Sequence, residues 1–557
     1  MRPAPQLSRL LALAAALAGC EPPDVPDPIA THVGDWRDEV IYQIVVDRFD
    51  DGDPSNSDAD GITPDSTDLS RMQGGDWRGI RRRLDYVQAL GATTIWISPP
   101  YTNVPRTERE DGYHGYWPRD FTEANERFGG MEELRALVRD AHARGMLVIL
   151  DVVPNHAGRV FHYDLNANGD VDPGETEPPF ADPPYDVPLL HTHRPRVWSG
   201  GARLTLEAEH YHRHGAGDLG DPRQKELADF PSGLRDLHTE REDVIEALVE
   251  THVWWVVQTD VDGFRVDAVP HAPRAFWAAF AGRLRRRLAA LGKERFFLLG
   301  EVFDGSPDAL ASYTGLDALD ANFAFDLKLE LIDGVILEGR APAGALGPLG
   351  GYRDRFPASG QPFGLGLSPW EARVAFADNH DVWRVRGELD DPLVVELAMT
   401  VVFTVDAIPS IYYGTEQDLD GTEHHLSREP LFRVAPAFDT TGTTFRYIAR
   451  LAELRRASPA LRYGALEVRY AARRGGRDAM GAPDAGLFAY ERAHEGERVL
   501  VVVNAALAEA EATFATGFRE GEALGDALGR ASGRFAVGSR GQLTVRLPPR
   551  SSVVLTR

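Results

Sequence analysis

The sequence predicts an α/β architecture: a (β/α)8 TIM barrel interrupted by an inserted loop-rich domain, here domain B, and followed by a carboxy-terminal all-β domain. Three observations predict it. From Asp38 onward, short apolar runs alternate with amphipathic helical stretches, the pattern of parallel strands joined by helical crossovers. Polar clusters recur at the carboxyl ends of those runs, where a (β/α)8 barrel carries its chemistry. After about Leu461 the pattern changes to short alternating or apolar segments separated by turn residues, which indicates a separate all-β unit.

At 557 residues and 43% hydrophobic, the chain can bury a large core and is long enough for two or three domains. A formal charge of -25 argues against nucleic-acid binding, because a binder needs a basic face to neutralise phosphates. A neutral substrate fits better, and a monomer is expected.

At the amino terminus, Arg2 and Arg9 precede the apolar run Leu10 to Ala18, too short for a membrane span and laid out like a secretory signal. Leu17-Ala18-Gly19-Cys20 resembles a bacterial lipobox, so 1–19 is read as a lipoprotein signal peptide and Cys20 as the lipidated residue. The chain has one cysteine, which excludes an intramolecular disulfide. Glu21 to Thr31, rich in Pro and Asp, reads as a spacer within a 20–34 linker. The expected location is extracytoplasmic, with the membrane reached only through the lipid at Cys20.

Eight strands are expected: Val40 to Val46, Thr93 to Ile97, Leu147 to Val152, Val261 to Val269, Phe296 to Val302, Leu319 to Phe325, Val374 to Ala377 and Ile408 to Tyr412. Thr239-Glu240-Arg241-Glu242 fits a capping box ahead of a helix with Val244, Leu248, His252 and Val256 on one stripe; Met131 to Ala143 reads as a helix ended at Gly145. Between His156 and about Leu237 the composition turns to Pro, Gly, Asp and His without a strand-helix unit, so 157–237 is read as domain B. The barrel then occupies 35–156 and 238–460, and 461–557 is a β-sandwich domain.

The fourth strand contains Arg265 and Asp267, two positions apart and so on one face. A buried aspartate costs several kcal/mol unless its charge is held, and a planar guanidinium suits a carboxylate. Other polar clusters stand at Asp47-Arg48, Asn155-His156, His271, Glu301 and Asn379-His380-Asp381.

Four motifs carry a family resemblance: Asp151-Val-Val-Pro-Asn155-His156, Gly263-Phe-Arg265-Val-Asp267-Ala-Val-Pro-His271, Leu299-Gly-Glu301-Val-Phe303 and Phe376-Ala-Asp-Asn-His380-Asp381. With Gly91 to Pro99 and Ile408 to Glu416, the chain resembles the α-amylase family, glycoside hydrolase family 13, across all three domains. The resemblance implies Asp267 as nucleophile, Glu301 as general acid/base and Asp381 as the third carboxylate, with Arg265 keeping Asp267 ionised and Glu301 pushed up in pKa. It also implies sugar contacts from His156, His380, Tyr116 and Trp117, the last two in Tyr113-His-Gly-Tyr-Trp117.

Calcium is the expected cofactor, at three places. By resemblance, Asn155, Asp236 and the His271 backbone form one site, and Asp51, Asp53, Asn56, Ser57, Gly74 and Asp76 form another that is similar to an amino-terminal loop of cyclodextrin glucanotransferases. Independently, Asp164, Asn166, Asn168, Gly169, Asp170, Asp172 and Glu175 match an EF-hand loop, with Asp170 ligating through its main chain. The expected reaction is retaining hydrolysis of α-1,4 bonds in starch-type glucans; the alternatives are a transglycosylase of the same family and a non-catalytic glucan-binding lipoprotein. Ser232 in place of a central aromatic, and the end of the chain after one β domain, weigh against cyclisation. Pro270, where α-amylases commonly have lysine, and Val302, where tryptophan is frequent, are further departures.

Overall fold

The computed structural model describes residues 28–422, 425–477 and 482–557. The signal at 1–19 and Cys20 lie outside the described residues. The barrel strands are β1 (Ile41–Ile44), β2 (Thr94–Ile97), β3 (Leu147–Val152), β4 (Gly263–Val266), β5 (Phe297–Gly300), β6 (Ala321–Asn322), β7 (Val374–Phe376) and β8 (Ile408–Tyr412). They form one eight-stranded sheet in the order β6-β5-β4-β3-β2-β1-β8-β7, and a bridge from Phe323 to Val374 joins its edges. Alternation along the strands divides the core: Ile41, Trp96, Ile149 and Leu299 pack in one cluster with Phe323 and Phe376, whereas Tyr42, Ile95, Leu150 and Leu298 join the larger cluster containing the helix residues.

The helices α1 (Gly130–Ala143), α2 (Glu242–Thr259), α3 (Arg274–Ala290), α4 (Pro392–Thr404) and α5 (Thr443–Ala457) are the longest of the barrel. Val244, Leu248, His252 and Val256 are buried on α2, as their spacing predicts. Gly145, at φ 71°, turns the chain from α1 into β3. The capping box is not formed: α2 begins at Glu242 with Arg241 at its N-cap and no side-chain cap bond.

The largest shortfalls against the apolar runs are at β4 and β6, five residues each; β1 and β5 also fall short, by three each. β4 ends at Val266, after which Ala268 takes a left-handed backbone (φ 47°) and Val269–His271 forms a 3-10 turn. β6 is reduced to Ala321–Asn322. Apolar composition continues past a strand end wherever a loop folds back over the core, so periodicity overstates these lengths.

Between β3 and α2 the chain makes small ladders: His156–Ala157 with Arg235–Asp236, Phe161–Tyr163 with Leu189–His191, and Arg196–Ser199 with Ala202–Thr205. The buried Arg235 pins this segment, bonding Asp229 at 2.5 Å and the Phe161 carbonyl at 2.9 Å. The carboxy-terminal strands are β9 (Ala465–Ala471), β10 (Leu487–His494), β11 (Glu497–Asn504), β12 (Ala510–Ala515), β13 (Ala523–Asp526), β14 (Phe535–Ala536), β15 (Gln542–Leu547) and β16 (Ser551–Thr556). A sheet ordered β9-β10-β11-β16-β13-β14 and the β12-β15 pair enclose Leu487, Leu500, Phe514, Leu543 and Val545. No helix among the described residues is long and apolar enough to cross a membrane.

Candidate active site

Strand register brings the candidate acids together. Val266 of β4 pairs with Gly300 of β5, so Asp267 and Glu301 follow side by side, each one residue past its strand. Their backbone amides hold them there: Asp267 N donates to the Val152 carbonyl and Glu301 N to the Val266 carbonyl, both at 2.9 Å. Both acids line a cleft of about 390 Å³, together with Tyr116, Trp117, His156, His271, His380 and Asp381.

Arg265 is not the exclusive partner of Asp267 that a strand reading alone suggests. Its Nη1 donates to Asp267 at 2.7 Å and to Asp151 at 2.9 Å, and its Nη2 lies 2.9 Å from Glu301. Asp151, fully buried, also accepts from Tyr116 Oη at 2.7 Å and Trp96 Nε1 at 3.1 Å, and so aligns the Tyr116 ring and the guanidinium together. Ala268 N donates to Glu301 Oε2 at 3.0 Å, a use for the left-handed turn that ends β4.

Burial raises both acids against the pull of Arg265: Asp267 to about 6 and Glu301, which faces Asp267 and Asp381 as well, to about 8. Asp381 goes the other way. Burial opposes its ionisation, but His380, at 3.0 Å, and Arg428, at 3.1 Å, hold its carboxyl well below the usual range. Three carboxylates in one cleft therefore have three different proton affinities.

The remaining side chains are fixed by packing. The Tyr116 ring stacks on His380, centroids 5.2 Å apart and 4° from parallel, and His156 stacks on Phe230 at 4.8 Å. Burial lowers His156 to about 3 and His271 to about 4, so both imidazoles are neutral at neutral pH and present one donor each.

The family profile described as the alpha amylase catalytic domain matches residues 43–431. The chain belongs to the α-amylase family. It is 30% identical to an alpha-amylase of Streptomyces lividans over 555 residues, covering 88% of this chain and 57% of the relative. It is 29% identical to a cyclomaltodextrin glucanotransferase of Geobacillus stearothermophilus, covering 84% and 60%. The chain thus spans less than two thirds of the length of either curated relative. Among solved structures it resembles an Anoxybacillus alpha-amylase (27% identity, 94% and 99% covered, TM-score 0.69) and CldA, described as the first cyclomaltodextrin glucanotransferase with a three-domain ABC distribution (25% identity, 93% and 99% covered, TM-score 0.74).

Within this α-amylase-family cleft, sequence reasoning missed three contributors. Arg428 donates to the His380 carbonyl at 2.8 Å as well as pairing with Asp381, yet no motif covers it. Phe230 covers His156 and meets His271 edge-on at 4.6 Å. Lys225, from the short helix Pro222–Leu227, lines the cleft near His271 and Pro270. The last two come from the inserted segment, whose composition carries no periodicity to place them; the only signal was the length of the insertion.

The calcium candidates differ in fit. At the amino-terminal loop, Asp51 Oδ1, Asn56 Oδ1 and Ser57 Oγ are buried without a hydrogen-bond partner. A Cβ added to Gly74 would come within 3.2 Å of Ser57 Oγ and 3.4 Å of Asp51 Oδ2, so the backbone there borders the same cradle. Unpaired oxygens of this kind fit a hard cation. The Asp76 carboxylate sits beside them, engaged with the amides of Gly52 and Gly79, whereas Asp53 turns to Ser55 and Arg78. In the EF-hand-like loop, Asp164 accepts from Asn168 N and Gly169 N, Asn168 Oδ1 accepts from Asp170 N, Asp172 Oδ2 accepts from Asn166 and Asn168, and Glu175 accepts from Leu165 N and Asp172 N. Gly169, at φ 83°, makes the sharp turn the template needs at that position. These side chains converge and fit calcium. The set of Asn155, Asp236 and His271 fits less well: Asn155 Oδ1 faces His156 Nδ1 at 3.0 Å, and the Asp236 carboxylate is bonded to His212 Nδ1.

Proposed function

We propose that this chain is a retaining glycoside hydrolase that cleaves α-1,4 bonds in starch-type glucans or maltooligosaccharides. The observation that carries the reading is the placement of two carboxyls on one guanidinium, Asp267 at 2.7 Å from Nη1 and Glu301 at 2.9 Å from Nη2, with burial raising both and the neighbouring Asp267 and Asp381 charges raising Glu301 further. Retaining chemistry needs one ionised and one protonated carboxyl roughly 5 Å apart. Glu301 gives its proton to the glycosidic oxygen as that bond breaks, and Asp267 Oδ bonds to the anomeric carbon. Glu301, now ionised, removes a proton from water, whose oxygen displaces Asp267 and restores the starting configuration.

Asp381, ionised throughout, accepts from hydroxyls of the attacked sugar and gains as its ring flattens. His380, which accepts from Gln43 at Nδ1, spends its N–H on Asp381, and both His156 nitrogens face protein oxygens, of Asn155 and Tyr116, so these histidines position the cleft and are not the sugar donors expected of them. Tyr116 offers the face beneath that sugar and Trp117 part of the adjoining wall. Lys225, next to His271, and the exposed Phe303, two residues past Glu301, line the cleft and are assigned here to the leaving portion of the glucan. The two calcium loops are part of the same proposal: an ion at each would supply no chemistry, only positive charge that ties polar loops to the barrel. Lipidation of Cys20, an extracytoplasmic location, and the domain limits 35–156, 157–237, 238–460 and 461–557 also belong to it.

Transglycosylation is the second reading, favoured by the relatives that carry that name. The end of the chain after one β domain does not weigh against it, since CldA is described with three domains. Ser232, which lines the cleft, favours water as acceptor because it offers no aromatic face of its own, and the neighbouring Phe230 ring is spent on His156 and His271. Incubation with starch, pullulan, cyclodextrin and sucrose, followed by separation of products, tests the assignment. Linear maltooligosaccharides are expected from the wild type and none from Asp267→Asn; cyclic products would favour transfer, and undiminished activity in the variant would dismiss the mechanism.

A further inference from the structure

Where the inserted segment returns to the barrel, its backbone pairs antiparallel with the stretch leading to α2. Tyr211 bridges Leu237, His212 N donates to the Asp236 carbonyl at 3.2 Å, and His238 N donates to the His210 carbonyl at 2.8 Å. Alternation then puts His212, Asp236 and His238 on one face of this short ladder, with His238 diagonal to His212. Glu240, two residues further on, turns its carboxylate to His212 Nε2 at 2.6 Å. One ligand-capable atom from each of His212, His238 and Glu240 lies within 4.8 Å of the others.

We infer that His212, His238 and Glu240 form a binding site for a first-row divalent metal of the Zn2+ type, separate from the calcium loops. Two imidazoles and one carboxylate are the donor set of a borderline cation, with the fourth tetrahedral position left to water; calcium prefers six to eight oxygens. The outer shell is in place. Asp236, buried, bonds to His212 Nδ1 and so directs Nε2 toward Glu240, the arrangement that fixes the tautomer of a metal-binding histidine. His238 is anchored on the Glu209 backbone, and its ring centroid lies 4.6 Å from that of His212 at 45°. The Glu240 side chain is 43% exposed, free to move by the fraction of an ångström that ligation requires.

An imidazolium clamped between Asp236 and Glu240 would account for two of these groups without a metal. It gives no reason for the second imidazole, which a positive His212 repels and a shared cation attracts. A second histidine-carboxylate group among the described residues, His32, His142 and Asp262, differs on this point: Lys293 already places its ammonium 3.0 Å from Asp262, so the cation there is built in. A metal on His212 and Glu240 would clip the inserted segment to the residues that open α2.

The test is calorimetric titration of the chelator-treated, full-length protein with Zn2+ in excess Ca2+, so that calcium loops do not compete. One high-affinity site is expected, weakened at least about tenfold in His238→Ala and in Glu240→Gln, since losing a ligand costs no less than losing its outer-shell partner. Zn2+ should raise the melting temperature of the wild type and not of Glu240→Gln, a surface change that leaves folding intact. His142→Ala should bind as the wild type does. Equal affinity in the wild type and both ligand variants, or loss of binding in His142→Ala, would overturn the assignment.

Discussion

Arg265 reaches Asp267 through Nη1 at 2.7 Å and Glu301 through Nη2 at 2.9 Å, so one buried guanidinium sets the position of both acids. A lysine offers a point charge that cannot span them, nor hold Asp151 as well. Arg265→Lys is expected to lower kcat/KM by about a hundredfold or more, the scale of losing one preorganised charge contact. Stability should fall by about 3–5 kcal/mol, because Asp151 would stay buried with its partner displaced. Steady-state kinetics and thermal unfolding check both; unchanged kinetics would remove Arg265 from the account.

The pH dependence has two limbs of opposite sign. Asp267 acts ionised, so activity is lost as pH falls through about 6; Glu301 acts protonated, so activity is lost as pH rises through about 8. A bell in kcat/KM between those values is expected. Glu301→Gln should abolish the alkaline limb for substrates whose leaving group needs no proton. A profile flat across both limbs would contradict the assignment of roles.

Calcium removal should destabilise the folded chain. At a hundredfold excess over Kd, one bound ion contributes about 2.7 kcal/mol. Chelation is expected to lower the melting temperature, with part of the calcium response lost in Asp51→Ala and another part in Glu175→Gln. Asp51 is raised to about 6 by burial and then by Asp76, a strain that a cation relieves. Identical melting curves with and without chelator would dismiss both loops.

Lys225 lines the cleft near His271, beside Pro270, which offers no cation, and the proposed mechanism gives it the leaving portion of the glucan to bind. Lys225→Ala is expected to reduce kcat/KM for long maltooligosaccharides by about tenfold, the cost of one charged hydrogen bond, and to leave short substrates with an activated aryl leaving group unaffected. Equal losses on both would mean that Lys225 acts on the fold, not on the glucan.

How much of this was legible depended on the distance over which each residue finds its partner. The Arg265–Asp267 pair was readable because i, i+2 spacing is a local property of a strand. The bond from Arg265 to Glu301 was not, because it requires the register that sets Val266 against Gly300. All eight strands could be placed, yet the expected β4 and β6 are five residues too long and β1 and β5 three, since apolar residues continue past their last ladder bonds. The amino-terminal and EF-hand-like loops were readable from compact runs of oxygen-bearing residues. Phe230, Lys225 and the His212–His238–Glu240 group were not, because folding of the insertion, and no sequence period, brings them together; Arg428, beyond β8, was not because its partners His380 and Asp381 lie far away in sequence. The failed capping box at Thr239 belongs to the same region: the ladder pairing Tyr211 with Leu237 runs to His238, local turns take up Thr239 and Arg241, and the helix starts at Glu242.

The central claim is that Asp267 bonds covalently to the sugar while Glu301 manages the proton. Mass spectrometry of Glu301→Gln after brief exposure to α-glucosyl fluoride tests it most directly, because fluoride leaves unaided and the variant cannot activate the water that would release the intermediate. One glucosyl unit on the peptide containing Asp267 is the expected result. A glucosyl unit on another carboxylate, or fluoride release at the wild-type rate with no adduct on Asp267, would contradict it.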